Sequence, residues 1–143
     1  MSEDLVEYPV RCHCGAVSGR FKYKPGKVIA WDCNCSDCNM RKNTHVVVPE
    51  HNFWLTMDCP LEEATILYLW GTKTAIRRFC KTCGVLPWYR PRSNPDGVAI
   101  TMHCVDWTDG GTREAPELEI KTFDGVNWEE TIKSSSIKQE SKV

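Results

Sequence analysis

Hydrophobic and polar positions alternate along short segments of this chain, which is the pattern of β-strands. In the segment 16–23, the apolar or small residues Val17, Gly19, Phe21 and Tyr23 recur at every second position. Residues two apart lie on the same face of an extended chain, so these four share one side of a strand. The segment therefore predicts a half-buried strand, and the Pro-Gly pair that follows it predicts a turn.

Other strands are predicted where β-branched and aromatic residues cluster between turn residues. They cover residues 27–32, 44–48, 51–57, 65–70, 98–105 and 118–123, with extended segments 75–79 and 85–89 on either side of a cysteine turn. Short helices are predicted at 36–42, with Ser36 as the N-cap, and at 127–133. Eight or nine short strands with at most two short helices indicate an all-β domain.

The domain organisation follows from length and composition. A chain of 143 residues fits one compact domain, and neither an internal repeat nor a linker divides it. We expect an acidic lead-in at 1–9, a single domain at 10–133, and a tail at 134–143. The tail is polar, and its composition predicts disorder.

Charge and hydropathy exclude several classes of protein. The net charge of −1, without a cluster of Lys and Arg, disfavours a nucleic-acid partner. The apolar runs are too short to span a membrane. The first residues have neither a basic nor an apolar signal region, so we expect a cytoplasmic protein, alternatively one also found in the nucleus.

Nine cysteines require an explanation in a chain without a secretory signal. Disulfides are disfavoured in a reducing compartment, and an odd number of thiols cannot pair completely within one chain. Seven of the cysteines fall into three closely spaced motifs, which is how metal ligands are arranged. These motifs are Cys12-x-Cys14, Cys33-x-Cys35-x-x-Cys38 and Cys80-x-x-Cys83. The pattern predicts a zinc protein.

The first and third motifs complement each other. Cys12 and Cys14 lie two apart on an extended segment, so both sulfurs point to one side. Cys80 and Cys83 lie on a turn whose Gly84 lets the backbone curl back. Together they would complete a closed four-thiolate zinc site that contributes to folding. Alternatively, Cys80 and Cys83 could complete the cluster of the second motif instead of pairing with Cys12 and Cys14.

The second motif is then left with three thiols. A site with three protein ligands can keep an exchangeable position, and zinc there would hold an incoming thiol as thiolate. Three thiolates make zinc a poor generator of hydroxide, so thiol chemistry is favoured over hydrolysis. The alternative is a second closed, structural site. Candidates for its fourth ligand are His45, His51, His103 and Cys104.

Several other residues have interpretations of their own. His45 is expected at the surface or supporting a ligand rather than binding metal itself. Cys59, in a loop beside a proline, is predicted to be a free thiol without a role. Four cations could attract a carboxylate-bearing ligand, although scattered cations are typical of a solvated surface. These cations are Arg41, Lys42, Arg90 and Arg92.

The cysteine motifs resemble a known family. Cys-His-Cys-Gly-Ala-Val, Asp-Cys-Asn-Cys-Ser-x-Cys and Phe-Cys-x-x-Cys-Gly-Val are similar to motifs of the glutathione-dependent formaldehyde-activating enzyme family, which includes centromere protein V. Segments 89–95, 103–106 and 124–129 are most similar to the centromere protein V branch. The resemblance extends over residues 10–133.

The resemblance implies an Mss4-like fold of twisted antiparallel sheets held together by zinc. It implies a structural zinc on the first and third motifs, and a second zinc of catalytic type on Cys33, Cys35 and Cys38. Bacterial members are described as joining glutathione and formaldehyde into S-(hydroxymethyl)glutathione, formally a carbon–sulfur lyase reaction in reverse. Our hypothesis is therefore a zinc-dependent, lyase-like protein acting on a small thiol and an aldehyde. The rival hypotheses are a non-catalytic, zinc-scaffolded module that binds a protein partner, and a metal donor.

Overall fold

A computed structural model describes residues 4–107 and 117–142. Parts of the predicted lead-in (1–3), domain (108–116) and tail (143) lie outside the described residues. The strands in the described ranges are Val6–Arg11 (β1), Ser18–Tyr23 (β2), Val28–Cys33 (β3), Thr44–Pro49 (β4), Phe53–Leu55 (β5), Thr65–Tyr68 (β6), Ile76–Cys80 (β7), Trp88–Arg90 (β8), Gly97–Thr101 (β9) and Leu118–Phe123 (β10). The α-helices are Ser36–Arg41 (α1), Leu61–Ala64 (α2) and Trp128–Thr131 (α3), and the 3-10 helices are Glu50–Asn52, Met102–Cys104, Gly125–Asn127 and Ile137–Ser141.

The strands form two sheets, as expected for an all-β domain. The smaller sheet has the antiparallel order β1-β2-β5, and the larger has the order β10-β3-β4-β9-β8-β7-β6. The pair of β10 with β3 is parallel, with Phe123 opposite Cys33. Both strands therefore end at the same edge, and this register brings the residues after β10 beside the second cysteine motif.

The core lies on both faces of β4. Val46 and Val48 belong to the core that includes Val10 and Phe21 of the smaller sheet, whereas Val47 belongs to a second core on the opposite face. All three valines are at most 1% exposed. Burial on both faces explains why this strand is a continuous apolar run rather than an alternating one. Each such side chain stabilises the fold by about 1.5–3 kcal/mol.

The two ends of the chain differ from the sequence-based expectation. Strand β1 begins inside the predicted lead-in. The segment for which composition predicts disorder contains a 3-10 helix, and its Ile137 is only 2% exposed. The buried Asn94 side chain donates hydrogen bonds to the Ile137 carbonyl and to Ser141 Oγ, both at 2.9 Å. These partners lie more than forty residues away in sequence, so the composition of the tail does not reveal them.

Some element boundaries also differ. Strand β9 ends at Thr101 and continues as a 3-10 helix, and helix α2 has no counterpart among the predicted elements. The N-cap of α1 is Cys35 rather than Ser36, because its sulfur accepts a hydrogen bond from the Cys38 N–H. Within residues 4–107 and 117–142, the helices are all too short or too polar to cross a bilayer.

Candidate metal centres and the adjoining cavity

The first and third cysteine motifs meet in one cluster. Cys12 and Cys14 follow β1 of the smaller sheet, and Cys80 ends β7 of the larger sheet, with Cys83 in the turn beyond it. Cys14 Sγ lies 3.7 Å from Cys12 Sγ and 3.6 Å from Cys80 Sγ. The four sulfurs all lie within 4.8 Å of one another. The cluster therefore connects the two sheets.

This geometry fits a bound metal ion. Four sulfurs around a tetrahedral zinc, with Zn–S distances of about 2.3 Å, lie about 3.8 Å apart. The observed separations match that value and are far longer than a disulfide bond of about 2.05 Å. Backbone N–H groups also donate to the sulfurs, from Val17 to Cys12 at 3.3 Å and from Thr82 to Cys80 at 3.3 Å. Such donors stabilise thiolates, the form that binds metal.

The second motif forms a separate cluster of three thiols. Cys33 ends β3, Cys35 caps α1, and Cys38 lies in the first turn of that helix. Their sulfurs lie within 4.8 Å of one another. The pKa of Cys35 lies below its ordinary value because the thiols of Cys33 and Cys38 donate hydrogen bonds to its sulfur. Three convergent soft donors, one of which ionises readily, fit a thiophilic metal ion.

A turn after β10 packs directly against this cluster. A Cβ atom at Gly125 would lie 2.6 Å from Cys33 Sγ and 2.8 Å from Cys35 Cβ. Atoms do not approach so closely, so only glycine fits at this position. The close approach, rather than an unusual backbone angle, accounts for the residue.

Asn34, between two of the cysteines, holds this turn in place. Its side-chain amide donates to Asp124 Oδ1 at 3.0 Å, and its carbonyl oxygen accepts from the Val126 N–H at 3.1 Å. Asp124 Oδ2 also accepts from Asn127 Nδ2 at 2.9 Å. The position of the turn is thus tied to the backbone of the cluster itself.

A cavity of about 310 Å³ opens beside the three-cysteine cluster, and all three cysteines line it. Its volume lies at the small end of the range for small-molecule sites. Four aromatic side chains contribute to its walls, those of Trp70, Tyr89, Phe123 and Trp128. The charged side chains on its lining are Arg77, Arg92 and Glu129.

Arg77 is a buried cation in this wall, 5% exposed. Its Nε lies 2.5 Å from Asp37 Oδ2, and its guanidinium lies 4.5 Å from the centre of the Tyr89 ring. Asp37 also pairs with Arg41 at 2.9 Å, so this group of charges has a net positive charge. The sequence analysis missed Arg77. Strand alternation places Arg77 on the same face of β7 as Phe79, but only the fold shows that this face packs against the core containing Cys33 and Cys38.

A buried polar chain leads away from the cluster through Tyr89. The Tyr89 hydroxyl lies 3.8 Å from Cys38 Sγ and 3.4 Å from His45 Nε2. His45 Nδ1 lies 3.1 Å from Asn43 Oδ1, and the Asn43 amide donates to Thr101 Oγ1 at 2.9 Å. In this chain of contacts, neutral His45 carries its proton on Nδ1, which donates to Asn43 Oδ1. Its Nε2 then accepts a hydrogen bond from the Tyr89 hydroxyl. Burial lowers the pKa of His45 to about 4, which keeps the ring neutral at pH 7.

The four candidate fourth ligands lie outside both clusters. His45 is 2% exposed, so it is not a surface residue, and it lines the cavity. His103 and Cys104 line a surface depression beside Cys12, on the four-cysteine side. His51 contributes to two depressions that none of the clustered cysteines lines, and Cys59 is an exposed free thiol.

The four cations singled out in the sequence have different surroundings. Arg92 lines the cavity, and its guanidinium lies 3.6 Å from the centre of the Trp128 ring. Arg90 donates to the carbonyls of Pro95 and Gly97, both at 2.9 Å, so it holds a loop together. Arg41 pairs with Asp37, as described above, and Lys42 is the exposed C-cap of α1.

Comparisons with known proteins agree with this architecture. In the crystal structure of a Rhodobacter sphaeroides protein, a chain of similar fold superposes with a TM-score of 0.62 at 26% sequence identity, covering 78% of this chain and 99% of that one. Residues 7–123 match the family described as glutathione-dependent formaldehyde-activating enzyme. The match includes all seven clustered cysteines, and we conclude that the chain belongs to the glutathione-dependent formaldehyde-activating enzyme family.

Proposed function

We propose that this chain is a zinc-dependent enzyme that joins glutathione, or a closely related thiol, to formaldehyde and yields S-(hydroxymethyl)glutathione. One observation carries the proposal: the three-cysteine cluster opens on a cavity of small-molecule size. A purely structural metal site has no need of such a cavity. The name of the family supplies the identity of the thiol and of the aldehyde.

The reaction is an addition that needs neither an oxidant nor a reductant. The sulfur–hydrogen bond of the thiol breaks, a carbon–sulfur bond forms at the aldehyde carbon, and the former carbonyl oxygen takes up a proton as a hydroxyl group. In the proposal, Cys33, Cys35 and Cys38 would hold a zinc ion, which would lower the pKa of a substrate thiol. The four-cysteine cluster would hold a second, structural zinc ion.

Residues of the cavity wall assist this chemistry. The guanidinium of Arg77 places a fixed positive charge beside the cluster, which favours an anionic sulfur there. The aromatic side chains around it exclude water and strengthen that attraction. Within the family, we propose a position near the centromere protein V branch, which rests on the sequence similarity of segments 89–95, 103–106 and 124–129. The nine free thiols fit a cytoplasmic location, where thiols stay reduced.

The proposal is tested by measuring formaldehyde consumption in the presence of glutathione, with zinc-loaded protein. We expect turnover above the buffer rate, its loss in Cys38→Ser, and its retention in Cys59→Ser, a matched change of an exposed thiol outside the clusters. Isothermal titration of glutathione into the same samples measures binding independently. If the unaltered protein neither binds glutathione nor exceeds the buffer rate, the proposal fails and the zinc-scaffolded interaction module is favoured.

A further inference from the structure

Arg92 is the charged side chain at the cavity that is best prepared to meet an anionic ligand. Its guanidinium stacks 3.6 Å from the centre of the Trp128 ring, and Trp128 also forms part of the cavity wall. Stacking fixes the plane of the guanidinium while leaving its edge, with five N–H donors, available for hydrogen bonds. Because the cation is already oriented, little side-chain entropy remains to be lost when a ligand binds.

The protein partner of Arg92 is weakly held. Arg92 Nη2 donates to Glu129 Oε1 at 2.5 Å, but the Glu129 side chain is 73% exposed. An ion pair so open to solvent contributes little to stability, because water screens the attraction between the two charges. Glu129 is thus a carboxylate that can be displaced from the guanidinium at little cost.

The other charges around the cavity favour the same class of ligand. The lining carries two cations, Arg77 and Arg92, against the carboxylate of Glu129, and Arg77 is itself paired with Asp37, which does not line the cavity. The indole N–H of Trp70, another residue of the lining, is buried and has no hydrogen-bond partner among the described residues. A buried donor left unpaired calls for an acceptor.

From these contacts we propose that Arg92 determines substrate specificity by binding a carboxylate of the thiol substrate, with Glu129 as its partner when no substrate is present. The substrate is then a thiol that carries a carboxylate, and it replaces Glu129 on the guanidinium when it binds. Arg92 acts on recognition and takes no part in bond making. This inference rests on the proposed function, since it concerns the same cavity.

The test compares glutathione with its diethyl ester, in which both carboxylates are neutralised and enlarged by an ethyl group, by isothermal titration into zinc-loaded protein. We expect the unaltered protein to bind glutathione more tightly than the ester. Arg92→Gln should weaken glutathione binding by about tenfold or more and leave ester binding unchanged, because charge-assisted hydrogen bonds are lost for one ligand only. Arg92→Lys should keep part of the preference for glutathione over the ester that Arg92→Gln loses. Glu129→Gln should tighten glutathione binding by a few-fold. Thermal melting and metal content of each variant check that the fold and both clusters are intact.

The outcomes separate this inference from the proposed function. Suppose that the unaltered protein binds glutathione, but that Arg92→Gln weakens the binding of both thiols equally or changes the binding of neither. The role of Arg92 is then refuted, and the proposed function stands. If the unaltered protein binds neither thiol, the inference fails, and the proposed function fails with it when turnover also stays at the buffer rate. High salt should weaken glutathione binding and spare the ester, and equal salt effects on both would also count against the inference.

Discussion

At the scale of single residues, the three-cysteine cluster depends on neighbouring residues as well as on its own three cysteines. Gly125 leaves room against Cys33, and Asn34 ties the turn containing Gly125 to the cluster. Arg77 supplies the buried positive charge, and His45 holds the Tyr89 hydroxyl near Cys38. Residues around metal ligands orient them in this way, and replacing such residues commonly lowers metal affinity by about 10–100-fold.

Gly125→Ala should lose metal from the three-cysteine cluster selectively. The added methyl group would lie 2.6 Å from Cys33 Sγ, so either the sulfur or the turn must move. We expect the zinc content per chain, measured by atomic emission, to fall from about two ions toward one. Gly26→Ala is the control, because its Cβ would meet nothing within 4 Å and only its positive φ is strained. Retention of both ions by Gly125→Ala would contradict the prediction.

His45 should make stability depend on pH. Its folded-state pKa of about 4 lies below the ordinary value of 6.5, so the unfolded chain binds the additional proton between these values. This stability is fully present above pH 6.5 and is lost as the pH falls toward 4, by up to about 3 kcal/mol.

Urea denaturation at pH 7 and pH 5 measures the effect. His45→Gln should lose less stability between the two pH values than the unaltered protein, whereas His103→Gln, a change of an exposed histidine, should not. The metal content of each protein, measured at both pH values, separates acid release of metal from titration of the ring. An unchanged pH dependence in His45→Gln would show that the buried ring does not titrate in this way.

At the scale of elements, segments distant in sequence complete the walls of the cavity. The parallel pairing of β10 with β3 positions the turn after β10, and the C-terminal 3-10 helix supplies Ile137 to the lining. Asn94 fastens that helix with two hydrogen bonds from the loop that also carries Arg92. The tail is therefore part of the site's support as well as of the core.

Ile137→Ala should destabilise the protein by about 3 kcal/mol, because truncating this buried side chain leaves a cavity in the core. Ile120→Ala is the matched control, since Ile120 is 51% exposed on β10 and its truncation should cost less than about 1 kcal/mol. The free energy of unfolding from urea titrations compares the two. Equal losses would indicate that the tail is not packed as described.

At the scale of the whole molecule, the two clusters have different structural duties. The four-cysteine cluster links the smaller sheet to the larger one, whereas the three-cysteine cluster links β3 and α1, which are neighbours in sequence. Folding free energy of about 10 kcal/mol or more can come from a structural zinc site, which is comparable to the entire stability of a domain.

Cys12→Ser should therefore abolish cooperative folding, and Cys38→Ser should remove one metal site while leaving a cooperative thermal transition. Circular dichroism melting together with metal content distinguishes the two results. A chelator should likewise remove metal in two stages, with loss of structure only at the second. Melting of Cys12→Ser at the same temperature as the unaltered protein would refute a structural duty for that cluster.

The sequence by itself determined the features that depend on local spacing. Alternation gave the strands and the all-β class, and the spacing of the cysteines gave the three ligand motifs, because both depend on residues only a few positions apart. The cysteine spacing allowed Cys80 and Cys83 to join either of the other two motifs. Only the fold shows that they lie beside Cys12 and Cys14. The burial of Arg77 and His45, the turn at Gly125 and the packed tail were also decided by tertiary structure. Each of these depends on contacts between segments far apart in the chain, which no local pattern of residues records.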